Sequence, residues 1–139
     1  NFANNPHHIP ITPILGMSAF LADITNLTPH PVTILTLDGE RELETIPSSG
    51  SIRLNENVTE LGDGILFRSF AIPLLHITFE ADNAISDWPE RDNHFYIVSA
   101  LVANAYPERT DFLMVAKTVR DDEGRIKGCT AFASATGEV

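Results

Sequence analysis

Apolar and polar residues alternate along several stretches of this chain, a pattern typical of β-strands that bury one face. In the clearest example, Leu75, Ile77 and Phe79 alternate with polar side chains. His76 therefore lies on the polar face of this strand, where we expect it to face solvent. Because Pro73 cannot donate to the centre of a sheet, we expect the apolar run 65–80 to form two strands or to bend at an edge.

Two hairpins are indicated by turn residues between such segments. The dipeptide Asp38-Gly39 follows the β-branched run 32–37 and predicts a turn into a return strand over 42–46. Near the end of the chain, a charged turn separates a strand predicted over 112–119 from its partner over 126–133. Gly124 supplies the positive φ that such a turn often requires.

The middle of the chain is less regular. We predict a turn over 47–50, a short strand over 51–54 and a polar, glycine-containing loop over 56–64. A polar connection over 81–93 then leads to a short buried strand over 95–98.

Residues 100–106 are the stretch with helical character. Ser99 precedes it and is expected to cap the helix, because its hydroxyl can accept from a free backbone N–H of the first turn. Pro107 should end the helix at or before Tyr106, since the residue before a proline avoids helical angles.

About seven short strands and one short helix, with turn signals every 8–12 residues, favour a β-rich α+β fold: a small antiparallel barrel or sandwich with an appended helix. We predict an extended N-terminal arm over 1–24, one globular domain over 25–134 and a frayed tail over 135–139. Two interpretations of the arm stay open: residues 1–16 belong to the native protein, or Met17 is its true start.

The acidic composition of the chain excludes some classes of binding partner. The chain has 139 residues, 19 acidic and 9 basic, for a formal charge of −10. That charge repels phosphate backbones and anionic lipids, so we expect neither nucleic-acid nor membrane binding. No apolar run reaches the roughly 18 residues of a membrane helix. The single cysteine, Cys129, cannot form an internal disulfide, so we expect a soluble cytoplasmic protein.

Several segments together resemble a family of small uncharacterised proteins found in bacteria and their phages. They are the start Asn-Leu-Thr-Pro-His-Pro-Val at 26–32, Ile-Pro-Ser-Ser-Gly at 46–50, Tyr-Ile-Val-Ser at 96–99 and Val-Arg-Asp-Asp-Glu-Gly-Arg-Ile-Lys-Gly-Cys at 119–129. In order and spacing they cover most of 26–132. The resemblance implies a cytosolic or phage-encoded origin and no particular activity.

Histidine and cysteine positions are the first candidate sites. Prolines on both sides of His30 fix its backbone, as a site would require, but a rigid strand entry explains the same residues and we favour it. His7 and His8 are adjacent and point opposite ways in an extended chain, so no metal site is predicted there. No catalytic signature surrounds Cys129, which we expect to be a packed strand thiol.

The remaining polar candidates have simpler explanations. Arg120, Asp121 and Arg125 belong to a charge cluster that could bind a cation or a polar partner, although a solvated hairpin tip is the favoured interpretation. Ser99 follows a buried strand as a nucleophile would, but the Gly-x-Ser-x-Gly pattern is absent and capping explains it.

Two functions from different classes fit these observations. We favour a non-catalytic binding or assembly module of phage or mobile-element origin, acting on another protein or on itself through loops or sheet edges. The alternative is a small hydrolase or ligand-binding enzyme using His30 with Asp121 or Asp111. No cofactor is predicted. The predicted binding residues are His30, Ser99, Arg120, Asp121 and Arg125.

Overall fold

The structure, a computed structural model, describes residues 10–14, 17–81 and 85–139. Within these ranges the chain forms ten strands, one α-helix and one turn of 3-10 helix at Ile85–Asp87. The elements are β1 (Pro10–Ile14), β2 (Met17–Phe20), β3 (Asp23–Asn26), β4 (Val32–Leu35), β5 (Glu42–Ile46), β6 (Leu54–Phe67), β7 (Phe70–Ala81), β8 (His94–Ile97), α1 (Ala100–Ala105), β9 (Phe112–Arg120) and β10 (Ile126–Ser134).

Six strands form one mixed sheet in the order β3-β8-β9-β10-β4-β5. Its two edges meet where Asn26, at the end of β3, bridges Ser48, just after β5. The sheet is therefore nearly closed into a small barrel, and the predicted β-rich α+β class with one short helix is confirmed.

The direction of the strands differs from the antiparallel arrangement predicted. The pairs β3–β8, β8–β9 and β10–β4 are parallel, whereas β9–β10 and β4–β5 are antiparallel. The β8–β9 pair is parallel because α1 carries the chain back across the sheet, as parallel neighbours require. Alternation of apolar residues reports which face a residue takes and carries no information on strand direction.

The predicted helix is confirmed. Ser99 precedes α1, and its hydroxyl accepts from the N–H of Val102 at 3.2 Å. Tyr106 ends the helix immediately before Pro107. Val102 and Ala103 are buried, so one face of α1 closes over the sheet.

The core has two clusters that share β8. One cluster packs beneath α1 and includes Tyr96, Val98 and Phe112. The other centres on Val32, Ile97 and Cys129. Because consecutive residues of β8 enter different clusters, both faces of this strand are buried, as is usual for a central strand between parallel neighbours. The short buried strand predicted over 95–98 is thus confirmed.

Both predicted hairpins of the body form. β4 pairs antiparallel with β5, and Gly39 takes a φ of +77° in the connection between them. β9 pairs antiparallel with β10 along nearly its whole length. At their turn, Gly124 has a φ of +82°.

The predicted loop over 56–64 is wrong, because these residues belong to the 14-residue strand β6. The apolar run after it also divides elsewhere than at Pro73. The chain turns at Arg68 and Ser69, and Pro73 lies inside β7 opposite Gly64. A polar sequence does not prevent a strand here, because β6 and β7 pair only with each other and most of their length is exposed to solvent.

The region predicted as an arm contains strands. β1 and β2 pair antiparallel, and β3 begins at Asp23, two residues before the predicted start of the domain. The ring centroid of Phe20 lies 5.8 Å from that of Phe95, so β2 approaches the sheet. The residues of the arm before Pro10, including His7 and His8, lie outside the described residues, as do 15–16 and part of the connection predicted over 81–93.

The side chain of Asn26 joins the two edges of the sheet and is fully buried. Its Nδ2 donates to the carbonyls of His30, at 2.8 Å, and Ile46, at 3.1 Å. Its Oδ1 accepts from the backbone N–H of Thr28, at 3.0 Å, and from the Thr28 hydroxyl, at 2.7 Å. The Asn26 carbonyl accepts from the N–H of Ser49 at 2.8 Å. All four hydrogen-bonding positions of the amide are thus used.

Replacing Asn26 by alanine should lower the free energy of unfolding by about 2–4 kcal/mol, because the Ile46 carbonyl loses its donor, the His30 carbonyl keeps only the Thr28 hydroxyl, and the N–H of Thr28 loses its acceptor. Urea unfolding followed by circular dichroism measures this difference. The matched control is Asn104→Ala, which removes an exposed amide whose Nδ2 donates to the carbonyl of Ala100 at 2.8 Å. We expect that control to change stability by less than about 0.5 kcal/mol. Equal effects in the two variants would contradict the role of Asn26.

Candidate functional site

A groove of about 360 Å³ opens beside the pairing of β4 with β10. Two groups that carry or can carry positive charge line it, His30 and Lys127, together with threonines and an apolar floor that includes Cys129. The volume is within the range of small-ligand sites. No carboxylate is found among the described residues that line it.

His30 reaches the groove because its backbone is held firmly. Its carbonyl accepts from the Asn26 amide, and the Thr28 hydroxyl lies 3.0 Å from the same carbonyl. The side chain is on the exposed surface between Pro29 and Pro31. His30 is thus the one predicted binding residue that lines the groove.

Cys129 is a packing residue in this groove. It is 1% exposed and lies opposite Ile34 of β4 and Thr118 of β9. Burial raises the pKa of the Cys129 thiol, and a backbone hydrogen bond involving Ala131 opposes that shift only in part. The thiol therefore stays protonated at neutral pH, which removes the thiolate that nucleophilic chemistry needs.

The charge cluster closes the turn between β9 and β10. Oδ1 of Asp121 accepts from the backbone N–H groups of Glu123 and Arg125, each at 2.9 Å. Arg120 donates through Nη1 to the carbonyl of Gly124 at 2.7 Å, and Arg125 pairs with Glu123. These contacts hold the turn, and none of the three predicted residues lines the groove. Ser99 is likewise engaged as the cap of α1 and lies outside the groove lining.

Asp111, the other carboxylate considered for His30, forms a buried ion pair instead. Arg109 donates through Nε and Nη2 to its two oxygens at 2.8 and 2.9 Å. Nη2 also donates to the carbonyl of Trp88 at 2.7 Å. The guanidinium carbon lies 4.3 Å from the ring centroid of Phe112 and 5.8 Å from that of Tyr96.

The electrostatics of this pair favour the charged form. Burial alone would lower the pKa of the Arg109 guanidinium, but the hydrogen bond and the charge of Asp111 outweigh it, and the pKa is raised overall. With both oxygens of Asp111 bound and the cation stacked on two rings, the pair fastens the 107–111 turn to the core beneath α1.

The second candidate surface is the β6–β7 hairpin, called the ribbon below (54–81). Cross-strand partners share a face, so the pairs from Leu54–Ala81 to Glu60–Leu75 define its base half. Val58, Leu75, Ile77 and Phe79 lie on one face there, with Glu56 and Glu60 between them. The other face of the base half is entirely polar: Asn55, Asn57, Thr59, His76, Thr78 and Glu80.

The distal half of the ribbon is apolar on both faces. Between Glu60 and Gly64 the register shifts, and beyond the shift every residue up to the turn is glycine, proline, alanine or a large hydrophobic. A Cβ at Gly64 would come within 2.6 Å of the carbonyl oxygen of Ile72, so the close approach after the shift requires glycine.

Charge is unequally spread along the ribbon. Arg68, at the turn, is its single lysine or arginine, whereas the four carboxylates lie on the strands. Arg68 has a φ of +56°, a region that is costly for a residue with a side chain, and its guanidinium carbon lies 5.2 Å from the ring centroid of Phe67. The ribbon thus has a cationic tip and, in Glu56, an acidic residue near its base.

Sequence reasoning missed this surface for a definable reason. The alternation of Leu75, Ile77 and Phe79 correctly predicts a strand, but alternation indicates one apolar face without saying what covers it. These residues are between 37% and 49% exposed. In the facing segment only Leu54 and Val58 share this apolar face, with Glu56 between them, so the preceding residues carry no clear alternation that could have indicated the hairpin.

Metal-binding clusters and membrane-spanning helices are both absent from the part of the chain that the structure describes. Among the described residues, no three histidine, cysteine, aspartate or glutamate side chains converge as metal ligands. In the same part of the chain, no helix is long and apolar enough to cross a membrane.

The buried thiol should react slowly in the native protein. We expect modification of Cys129 by a disulfide reagent at pH 7 to be at least about a hundredfold slower than in guanidinium chloride, because the thiol must be exposed by opening before it can ionise and react. Absorbance of the thiolate released from the reagent measures the rate in native protein and in unfolded protein from the same preparation. A native rate equal to the unfolded rate would contradict the position of Cys129 in the core.

Exchanging Arg109 for lysine should lower the free energy of unfolding by about 1–3 kcal/mol, because an ammonium cannot form both bonds to Asp111 while stacking on Phe112. The control is Arg125→Lys, at an exposed ion pair with Glu123, where we expect a change of less than about 0.5 kcal/mol. Chemical denaturation of the two variants measures both free energies of unfolding. If Arg109→Lys leaves the free energy of unfolding unchanged, the two-bond geometry of the buried pair does not contribute to stability.

Comparison with known proteins assigns neither a family nor a function to this chain. No family model, no curated protein sequence and no solved structure matches this chain. The function of the protein must therefore be inferred from the contacts, exposure and charge of the chain itself.

Proposed function

We propose that the protein is a non-catalytic binding or assembly module that acts through the β6–β7 ribbon. The observation that carries this proposal is the exposure of the ribbon. Eleven large hydrophobic residues of the described ribbon are between 37% and 73% exposed, against five in the rest of the described chain. They are Val58, Leu61, Ile65, Leu66, Phe67, Phe70, Ile72, Leu74, Leu75, Ile77 and Phe79.

Such a surface is costly in a protein that works alone. An isolated two-stranded hairpin is marginally stable in water, and soluble monomers rarely expose contiguous apolar patches larger than a few hundred Å². The helix α1 of the body contacts strand β7 of the ribbon, and strand β6 pairs only with β7. A partner that covers the apolar side chains would remove both costs at once.

The contacts around the catalytic candidates support the same conclusion. The alternative enzyme needs His30 beside a carboxylate, but Asp111 is bound by Arg109, Asp121 is bound within its own turn, and the described groove lining has no acid. Among the described residues, no buried side-chain nitrogen or oxygen lacks a hydrogen-bond partner. No buried side chain of the described body therefore needs a substrate to complete its hydrogen bonding.

The resemblance to small bacterial and phage proteins supports a place for this module in phage or mobile-element biology. The formal charge of −10 supports protein partners over nucleic acids and anionic membranes. The same resemblance supports a cytoplasmic location.

The test compares two neighbouring residues of β7 on opposite faces. Ile77→Asp places a charge on the apolar face, whereas Thr78→Asp places the same charge on the polar face. We expect size-exclusion chromatography with light scattering, followed by capture from a host-cell lysate, to show a complex with wild type and with Thr78→Asp. The complex should be lost or weakened at least about tenfold with Ile77→Asp.

Circular dichroism of each variant establishes that the barrel is folded. A wild-type chain that remains monomeric and retains nothing from the lysate would refute the proposal. So would equal behaviour of the two aspartate variants.

A further inference from the structure

Resting on that proposed function, we infer that the partner of the ribbon is a second copy of this chain, and that two ribbons pack face to face, antiparallel, about a two-fold axis. Each base half then lies under the distal half of the other copy. Four observations lead to this arrangement: the apolar area, the distribution of apolar faces, the distribution of charge and the length of the ribbon.

The exposed apolar area of the ribbon supplies part of what a stable dimer needs. Taking about 100 Å² for a fully exposed aliphatic side chain and about 200 Å² for phenylalanine, the eleven exposed residues present on the order of 700 Å² per copy, divided between the two faces of the ribbon. A face-to-face contact covers one face, so it buries roughly half of this area, against about 800 Å² on each partner of a standard protein interface. Contacts of the bodies at the two ends of the dimer supply the rest.

The distribution of apolar faces favours a base half against a distal half. The base half has one apolar face, formed around Val58 and Ile77, and one polar face. The distal half, with pairs such as Ile65–Ile72, is apolar on both faces. A distal half laid on the base half of another copy covers the single apolar face there and leaves the polar face, with His76, in water.

Charge decides the relative direction of the two ribbons. In a parallel arrangement, Glu56 would face its counterpart across an apolar contact, and the two Arg68 side chains would meet at the tips, whereas Glu60, at the middle of β6, lies near its counterpart in either arrangement. Like charges brought together in a low dielectric oppose association. In the antiparallel arrangement, the tip carrying Arg68 reaches the base of the other ribbon, where Glu56 lies on the apolar face. Two-fold symmetry then forms the same ion pair twice.

The ribbon is long enough for this contact. Its 14-residue strand β6 spans about 45 Å at the usual rise per residue, whereas a compact body of about 100 residues has a radius of gyration near 13 Å. Two ribbons can therefore overlap along their length while the barrels remain at opposite ends.

A charge exchange tests the arrangement. Arg68→Glu brings the new carboxylate against Glu56 at both ends of a dimer, and Glu56→Arg brings the new guanidinium against Arg68 at both ends. We expect each variant, studied alone by sedimentation velocity up to about 1 mM, to dissociate at least about tenfold more readily than wild type. An equimolar mixture of the two variants pairs opposite charges at both ends and should recover wild-type association.

The control is Glu80→Arg, which makes the same charge change on the polar face and should dissociate like wild type. A mixture that associates no better than the separate variants would overturn the antiparallel arrangement. A wild-type chain that is monomeric throughout would overturn self-pairing. If that monomer still retains a different protein through Ile77, the binding function stands and only its partner differs; if it retains none, both fail.

Discussion

The buried amide of Asn26 is the constraint on which the rest of the fold depends. A six-stranded mixed sheet must either leave two edges open or bring them together, and here the closing contact is a bridge to Ser48 beside a side chain that makes four hydrogen bonds. The amide does what a strand pairing does elsewhere in the sheet, because it satisfies the carbonyls of His30 and Ile46 at the point where the backbones diverge. With this contact, the two edges of the sheet meet at one point.

Closure at Asn26 also determines where the groove and the ribbon lie. The Thr28–His30 turn is folded back onto the amide, which sets His30 beside β10 and above the buried Cys129. β6 and β7 do not join this sheet and pair with each other. The ribbon therefore lies outside the six-stranded sheet, and most of its large apolar residues are exposed.

The sequence predicted those elements whose signals are local. The Asp38-Gly39 turn, the Ser99 cap and the turn at Gly124 each depend on a few neighbouring residues, and each forms as expected. Strand direction, the closure by Asn26 and the extent of β6 depend on residues far apart in the chain, which alternation does not report. The candidate site shows the same division: the local roles of Ser99 and Asp121 followed from their neighbours, whereas the exposure of Ile77 depends on what packs against β7.

The side chains of the body and of the ribbon differ in their surroundings, and this difference indicates which part of the chain binds a partner. In the described body, the buried polar groups are bonded internally: Asp111 by Arg109, Tyr96 by the carbonyl of Pro89, and Asn26 by its four partners. In the ribbon, the polar side chains of the base half already face water, and the apolar ones do too, although water is a poor environment for them. Binding a partner lowers the free energy of a surface only where its groups interact more favourably with the partner than with water. By that criterion the barrel is complete as it stands, and the apolar residues of the ribbon are the part of this chain with the most to gain from association.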